Sequence, residues 1–166
     1  MPIHQSPKVP RVPELVGATN APFVLTSAPT NVSLALQEPT GPARLDIDEV
    51  SNLLPKRIFL NIENIISSEW SAPYDVYLNL PPNEQPEKHP ELYAGPLPMF
   101  GLREASRADG KHPPDGLFEQ LDITKQYAYL AALPGWDAKS LRVSFVPRNR
   151  EAKANLKVGR VSLYFA

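Results

Sequence analysis

The sequence predicts an all-β protein, an antiparallel β-sandwich (jelly-roll-like) of about seven or eight strands with one short helix. Three observations carry this expectation. Short runs of alternating apolar residues recur between turn signals spaced roughly 8–12 residues apart. Twenty prolines punctuate the 166 residues and break up long helices, because proline lacks the N–H that a helix interior needs. The chain also shows no βαβ alternation, no heptad seam and no fixed-period repeat.

The elements follow in order. Residues 1–20 carry Pro2, Pro7, Pro10 and Pro13 and read as a Pro-rich linker or extended N-terminal segment, with residues 21–166 as the β-sandwich domain. Phe23 and Leu25, then Val32, Leu34 and Leu36, mark two short strands around the turn Ala28-Pro29-Thr30-Asn31. Residues 37–55 are polar and Pro/Gly-bearing, with a short helical turn expected at Asp46–Leu54. Arg57–Ile65 is a strong strand, with Ile58, Leu60 and Ile62 on one face and Phe59, Asn61 and Glu63 on the other. A loop, Ser67–Pro73, carries Trp70. Tyr74–Leu80 is the next strand, with Val76, Leu78 and Leu80 sharing a face. Pro81–Pro90 is too proline-rich for regular pairing.

Leu92–Glu104 reads as a strand broken by Pro96 and Pro98, bent or at a sheet edge. Ala105–Pro114 is a charged loop. Gly116–Asp122 is a strand with Leu117 and Leu121 as its aliphatic residues. The last third then reads as helix, strand and hairpin. Asp122 or Thr124 caps a helix that runs to about Leu133 and is ended by Pro134-Gly135. Leu141, Val143 and Phe145 share one strand face. Val158, Val161, Leu163 and Phe165 belong to the closing strand, with Gly159 as a bulge or turn.

Composition removes several function classes. A net charge of −1 leaves no basic stripe for nucleic acid. The absence of cysteine removes disulfides, thiolate metal sites and thiol nucleophiles. The opening residues have no apolar stretch of the secretory kind, and no apolar run reaches the roughly 18 residues of a membrane span. The chain is therefore read as soluble, without signal peptide or transmembrane segment, and its compartment is not assigned.

Several stretches together resemble the C-terminal β-sandwich domain that follows the copper domain in tyrosinases and polyphenol oxidases, the type-3 copper proteins. Pro13-Glu-Leu-Val-Gly-Ala18 is similar to the linker entering that domain. Arg57–Asn64, with Leu60-Asn-Ile-Glu-Asn64, followed by Tyr74-Asp-Val-Tyr-Leu-Asn-Leu80, is similar to its central strands. Tyr93-Ala-Gly-Pro-Leu-Pro-Met-Phe-Gly101 resembles the Gly-containing strand after them, and Leu141–Arg148 with Lys157–Phe165 resembles the closing pair. The resemblance implies a noncatalytic domain packed over the active-site mouth of a tyrosinase-type catalytic domain, in cis or in trans. Such a domain shields or regulates that site, in latent enzymes through a bulky side chain that holds the place of substrate, and assists folding or copper loading. Copper-dependent phenol oxidation and the binuclear copper then belong to the catalytic domain, and this chain is not an enzyme on its own. Nucleic acid and membranes are not among the implied partners.

The residues agree with that division. Type-3 copper takes two sets of three histidines, since neutral imidazole suits copper, and this chain has three histidines in all: His4, His89 and His112. They are weak metal candidates in a tail and two loops, the best grouping being His89 with Glu87 or Glu91, and no metal site is assigned. Ser106, Asp109 and His112 fall within one short loop without the rigid convergence of a triad. Gly95–Gly101 lacks the Lys-Ser/Thr of a phosphate loop, and its prolines remove the N–H groups such a loop uses. Arg103, Arg107 and Lys111 read as a solvated surface.

A substrate-mimicking side chain must be large, loop-borne and exposed. Trp70 and Tyr93 fit best. Met99 and Phe100 fit where Pro96 and Pro98 turn the chain out of the sheet, although the neighbours of Phe100, Leu97 and Leu102, read as strand and favour core packing for it. The alternative function is a stand-alone carbohydrate- or protein-binding module with Trp70, Tyr74 and Tyr77 as an aromatic platform. Glu63 and Asp75 interrupt strong strand patterns, either paired with an arginine such as Arg148 or facing water.

Overall fold

The computed structural model describes residues 12–37, 57–151 and 154–166. The helical turn expected at Asp46–Leu54, most of the Pro-rich lead and His4 lie outside the described residues. Among the described residues nine strands are present: β1 (Glu14–Ala18), β2 (Phe23–Leu25), β3 (Thr30–Leu36), β4 (Ile58–Ile66), β5 (Tyr74–Leu78), β6 (Tyr93–Leu97), β7 (Leu117–Asp122), β8 (Ser140–Pro147) and β9 (Leu156–Phe165). The described residues also hold two α-helices, α1 (Leu102–Ala105) and α2 (Thr124–Ala131), and two 3-10 turns, Pro86–Lys88 and Pro90–Leu92. No helix among the described residues is long and apolar enough to cross a membrane.

The all-β antiparallel class holds. The nine strands form one continuous sheet in the order β6-β5-β8-β3-β1-β9-β4-β7, with β2 added to β9. Apolar residues meet across the ladder at Leu34↔Leu141, Val76↔Phe145 and Leu60↔Leu163, and all six are fully buried. Their burial contributes roughly 1.5–3 kcal/mol for each large side chain. The sheet curls until its end strands approach each other. A Cβ built on Gly95 of β6 would lie 3.0 Å from the Leu121 side chain of β7, so the absence of a side chain at Gly95 lets the two edges close. The result is a nearly closed barrel, in which Pro96 sits exposed on an end strand where its missing N–H breaks no interior ladder.

Several local expectations are corrected. Glu14–Ala18, grouped by sequence with the Pro-rich lead, is free of proline and donates to the sheet as β1, paired with β3 and β9. The strand expected over Leu92–Glu104 stops at Leu97. Pro98 removes a donor, Gly101 adopts φ 78°, and α1 begins at Leu102. The strand expected to reach Leu80 ends at Leu78, where Asn79 turns left-handed at φ 46°. Asn79 still holds the ladder: its N–H donates to the Arg142 carbonyl at 2.8 Å, and its Oδ1 accepts the Arg142 N–H at 2.8 Å.

The expected closing hairpin is a single ten-residue strand, β9. Gly159 is neither bulge nor turn. The extra residue lies in the neighbouring strand, where β4 shifts register against β7 between Ile62 and Ile65 and Asn64 sits at φ 54°. A Cβ on Gly159 would meet the Asn64 Cβ at 2.7 Å, so Gly159 makes room for the bulge across the ladder. The helix α2 is shorter than expected, and its N-cap is Ile123 rather than Asp122 or Thr124, with no side-chain cap bond. Asp122 Oδ1 accepts from the Thr124 N–H at 3.1 Å and from its hydroxyl at 2.6 Å, and these bonds hold the Asp122 carboxyl below its ordinary pKa.

The bulge also dictates Gly116, at φ +76°, whose added Cβ would lie 2.8 Å from the Asn64 carbonyl carbon and the Ile65 nitrogen. Gly135 has a similar φ of +80° but open space around it. Gly135→Ala is therefore expected to cost only the left-handed backbone term, about 1–2 kcal/mol. Gly116→Ala adds a clash with backbone that no rotamer relieves and is expected to cost at least about 3 kcal/mol. Chemical denaturation of both variants checks this, and equal losses would refute the clash.

Candidate functional site

One end of the barrel carries two short connections side by side, Ser67–Pro73 between β4 and β5 and Pro98–Gly101 between β6 and α1. The first is pinned from within. The Ser67 N–H donates to Ser106 Oγ at 2.9 Å. The Ser67 hydroxyl lies within hydrogen-bond reach of the carbonyls of Glu69, at 3.0 Å, and Asn155, at 3.3 Å. Ser67 and Ser71 are buried, and the Tyr74 hydroxyl, just past the loop, donates to the Thr26 carbonyl at 2.7 Å. Trp70 stands on this fixed loop 75% exposed.

The second connection projects Phe100. With β6 ended at Leu97, the chain turns through Pro98 and the left-handed Gly101 while Leu97 and Leu102 stay buried on either side. Phe100 is 96% exposed, which overturns the expectation that it packs into the core. The neighbours of Phe100 explain the error: they are buried in two different elements, not in one strand. A cavity of about 280 Å³ separates the connections, with Trp70 on one side and Met99, Gly101 and Leu102 on the other. Met99 packs partly against the core. Trp70 lines this cavity itself, whereas Phe100 stands exposed on the connection that borders it through Met99 and Gly101.

Tyr93 does not join this group. It opens β6 at the far end from Phe100, half-buried, with its ring 5.3 Å from that of Tyr77 and its hydroxyl donating to Asp75 Oδ1 at 3.1 Å. Arg148 closes the same cluster, donating from Nη2 to Asp75 Oδ1 at 2.9 Å, so Asp75 has the arginine partner that the sequence offered. Burial raises the pKa of the Tyr77 and Tyr93 hydroxyls. Glu63 pairs instead with Arg160, whose Nη2 lies 3.2 Å from its Oε1. The Trp70, Tyr74 and Tyr77 platform is not formed. Tyr74 is fully buried, and Tyr77 packs on Tyr93.

The described histidines are each held by carboxylates. His112 Nδ1 lies 3.1 Å from Asp109 Oδ2 in an exposed loop. His89, between the two 3-10 turns, meets Glu91 Oε1 through Nδ1 at 3.1 Å and Glu84 Oε2 through Nε2. Among the described residues no group of three His, Cys, Asp or Glu side chains is placed to hold a metal ion. The donor set does not fit a type-3 copper ion, which needs three imidazoles. Ser106, part of the rejected triad, spends its hydroxyl on the Ser67 N–H.

A second cavity, of about 520 Å³, lies at the other end of β5 and β6 and includes Asn79, Glu91, Tyr129, Trp136, Asp137 and Arg142 in its lining. Of these residues sequence reading singled out only Glu91, as a weak metal candidate beside His89. The available signal was an aromatic beside an acid, Trp136-Asp137, directly after a helix-ending Pro-Gly.

Comparison with known proteins gives the following. The model of a family described as "Domain of unknown function (DUF7868)" matches residues 12–166. Tyrosinase HcTyr1 of Hahella sp. (strain CCB-MM4) is 30% identical over 154 residues, which cover 91% of this chain and 32% of that protein. The chain therefore spans about a third of the length of this relative. Among solved structures, latent apple tyrosinase is similar at a TM-score of 0.53 and 17% identity, over 87% of this chain and 27% of that one. A recombinantly expressed latent aurone synthase, a polyphenol oxidase, is similar at 0.51 and 16%, over 86% and 25%. At these identities the structures support the fold alone. The sequence match makes the chain similar to about a third of a tyrosinase.

The His89 geometry has a measurable consequence. A neutral imidazole donates from one nitrogen only, so two carboxylates on both nitrogens select the imidazolium. The bonds to Glu91 and Glu84 raise its pKa above the ordinary histidine value. A raised folded-state pKa means that the stabilisation is complete at low pH and is lost as pH climbs through the folded pKa. An NMR titration of the His89 ring is expected to show a midpoint above about 6.5, lowered by Glu91→Gln and by Glu84→Gln. A midpoint at or below that value would show that the clasp does not form.

Proposed function

The chain belongs to the family described as domain of unknown function (DUF7868), and from that membership together with its likeness to a portion of a tyrosinase we propose that it acts on a tyrosinase-type copper domain, in cis or in trans, by covering the mouth of the active site. The reading rests on one observation: Trp70 and Phe100 stand exposed on two connections that border one cavity, Trp70 in its lining.

The mechanism is steric. An indole or phenyl ring held at the end of a rigid barrel enters an opening built for a phenolic ring, and the surrounding turns close over it. Phenol oxidation and the two copper ions stay with the partner. This chain supplies shape, apolar surface and a fixed direction of approach. Trp70 and Phe100 are the side chains assigned to the opening, and Met99 lines the cavity behind them. Tyr93 is left to the Asp75–Arg148 cluster.

The test is a titration of the purified chain into the tyrosinase-type copper domain encoded with it, prepared free of this domain and loaded with copper, with diphenol oxidation as the readout. The rate is expected to fall saturably with added chain. Hot-spot side chains at the centre of an interface carry about 2 kcal/mol or more each, so loss of either aromatic is expected to raise the protein needed for the same inhibition about 30-fold, and the Trp70→Ala, Phe100→Ala double variant roughly 700-fold. A rate unchanged at large excess of the chain overturns the reading. Inhibition undiminished in the double variant overturns the assignment of the two aromatics.

A further inference from the structure

From the larger cavity we infer that the end of the barrel opposite Trp70 is a binding site for a neutral saccharide of about one or two sugar rings. The two ends are separated by the lengths of β5 and β6. Trp70 precedes Tyr74 at the start of β5, whereas Asn79 follows Leu78 at its end, and Glu91 lies just before β6 while Phe100 lies after it. The saccharide site therefore does not depend on the proposed docking, and either can fail alone.

The cavity has one apolar side and one polar side. The apolar side comes from the end of α2 and the turn behind it: Tyr129, 43% exposed, Leu133, Pro134 and Trp136. Trp136 is fixed in place. Its ring packs edge-on against Tyr127 at 5.4 Å and 78°, and Tyr127 packs in turn against Phe165 of β9 at 5.5 Å and 82°. The Trp136 N–H closes the turn on the Leu133 carbonyl at 3.2 Å. An aromatic face held in this way is a platform for the C–H face of a pyranose, which is apolar while its rim is polar.

The polar side is built from groups that are each half used. Asn79 Oδ1 accepts the Arg142 N–H at 2.8 Å, which leaves its amide donors. The Arg142 guanidinium donates one N–H to the Leu80 carbonyl and keeps its other donors. Asp137 Oδ1 accepts the Lys139 N–H at 2.9 Å, leaving Oδ2. Glu91 Oε1 is held by His89, leaving Oε2. In each case the bond already made sets the direction of the part left free.

A sugar hydroxyl both donates and accepts, so it satisfies a carboxylate and an amide or guanidinium at once. The lining charges oppose one another, with Arg142 and His89 against Glu91 and Asp137. The Glu91 and Asp137 carboxylates repel a phosphate and the Arg142 guanidinium repels an amine, which favours a neutral ligand. The volume falls within the roughly 300–1,000 Å³ usual for small-ligand sites and exceeds what one phenol ring fills.

The test uses the intact chain, which has two tryptophans, and follows the indole N–H signal of Trp136 by NMR, assigned with Trp70→Phe. Cellobiose, maltose and N,N′-diacetylchitobiose are each titrated to about 20 mM, a range that reaches the millimolar dissociation constants of weak sites, with 4-methylcatechol as the competing ligand class. At least one saccharide is expected to shift the Trp136 signal saturably while the Trp70 signal stays in place. Asp137→Asn and Glu91→Gln, shown by thermal denaturation to be folded, are each expected to raise the dissociation constant about tenfold. No saturable shift with any of the three sugars overturns the inference. So does saturation that both substitutions leave unchanged, or a Trp136 shift produced by the catechol and by no sugar.

Discussion

The ladder of β9 is the constraint on which the rest of the structure depends. On one side it pairs with β4 from Ile58↔Phe165 to Ile66↔Lys157. On the other it pairs with β1 near its end and with β2 near its start. The last ten-residue strand thus joins the first strands of the chain to its middle, and the sheet cannot curl closed without it. Nearly all of this pairing is long-range in sequence, so loop-closure entropy is lost before the contacts form. The bulge at Asn64 sits on the same ladder, and it imposes glycine at two positions far apart in sequence, Gly116 and Gly159. One irregularity in β4 therefore restricts the residues allowed in β9 and in the approach to β7.

A frame of this kind turns its connections into fixed brackets. Five-residue strands such as β5 and β6 rise about 3.3 Å per residue, so the turns at their two ends stay apart and cannot share a ligand. At one end Ser67 and Ser106 tie the loop that carries Trp70. At the other, Asn79 completes the ladder with its side-chain oxygen and lines the larger cavity. The polar atoms that hold the loops are the same ones that orient the groups left over. Both candidate sites follow from backbone accounting: where the ladder stops, side chains finish it, and their unused atoms face outward in set directions.

Much of the fold was legible because the alternating segments are strong. Leu34, Leu60, Val76, Val143 and Leu163 all read as inward-facing and are fully buried. The failures share one physical cause. Periodicity reports which face of a strand is apolar, but not where the strand ends or which strand lies beside it. Gly159 looked like a turn because the residue that needs the space, Asn64, is about a hundred positions away. Phe100 looked buried because Leu97 and Leu102 are, and only the break between β6 and α1 separates their roles. Glu14–Ala18 was hidden by the prolines before it. Trp70 was legible as loop-borne, since serines and a proline surround it. The larger cavity was not legible at all, because its lining comes from five stretches of chain, among them β3, β8 and the turn after α2, that meet only once the barrel closes.

The energetics of the aromatic end set a limit on how the proposed docking can operate. Covering an aromatic side chain removes 150–250 Å² from water, and at about 25 cal/mol per Å² two of them return roughly 8–12 kcal/mol at most. Association of two free proteins costs an estimated 4–15 kcal/mol before any contact contributes. Trp70 and Phe100 alone therefore leave little surplus when the partners are separate, and the fixed turns help by sparing the further cost of ordering loops. A tether changes the balance, since a short linker raises the effective concentration of the partner to the millimolar range. The chain's match to about a third of a longer tyrosinase makes such a tether the natural setting for a cover of this strength. There, the tether supplies the concentration that two separate proteins reach only when one is in large excess.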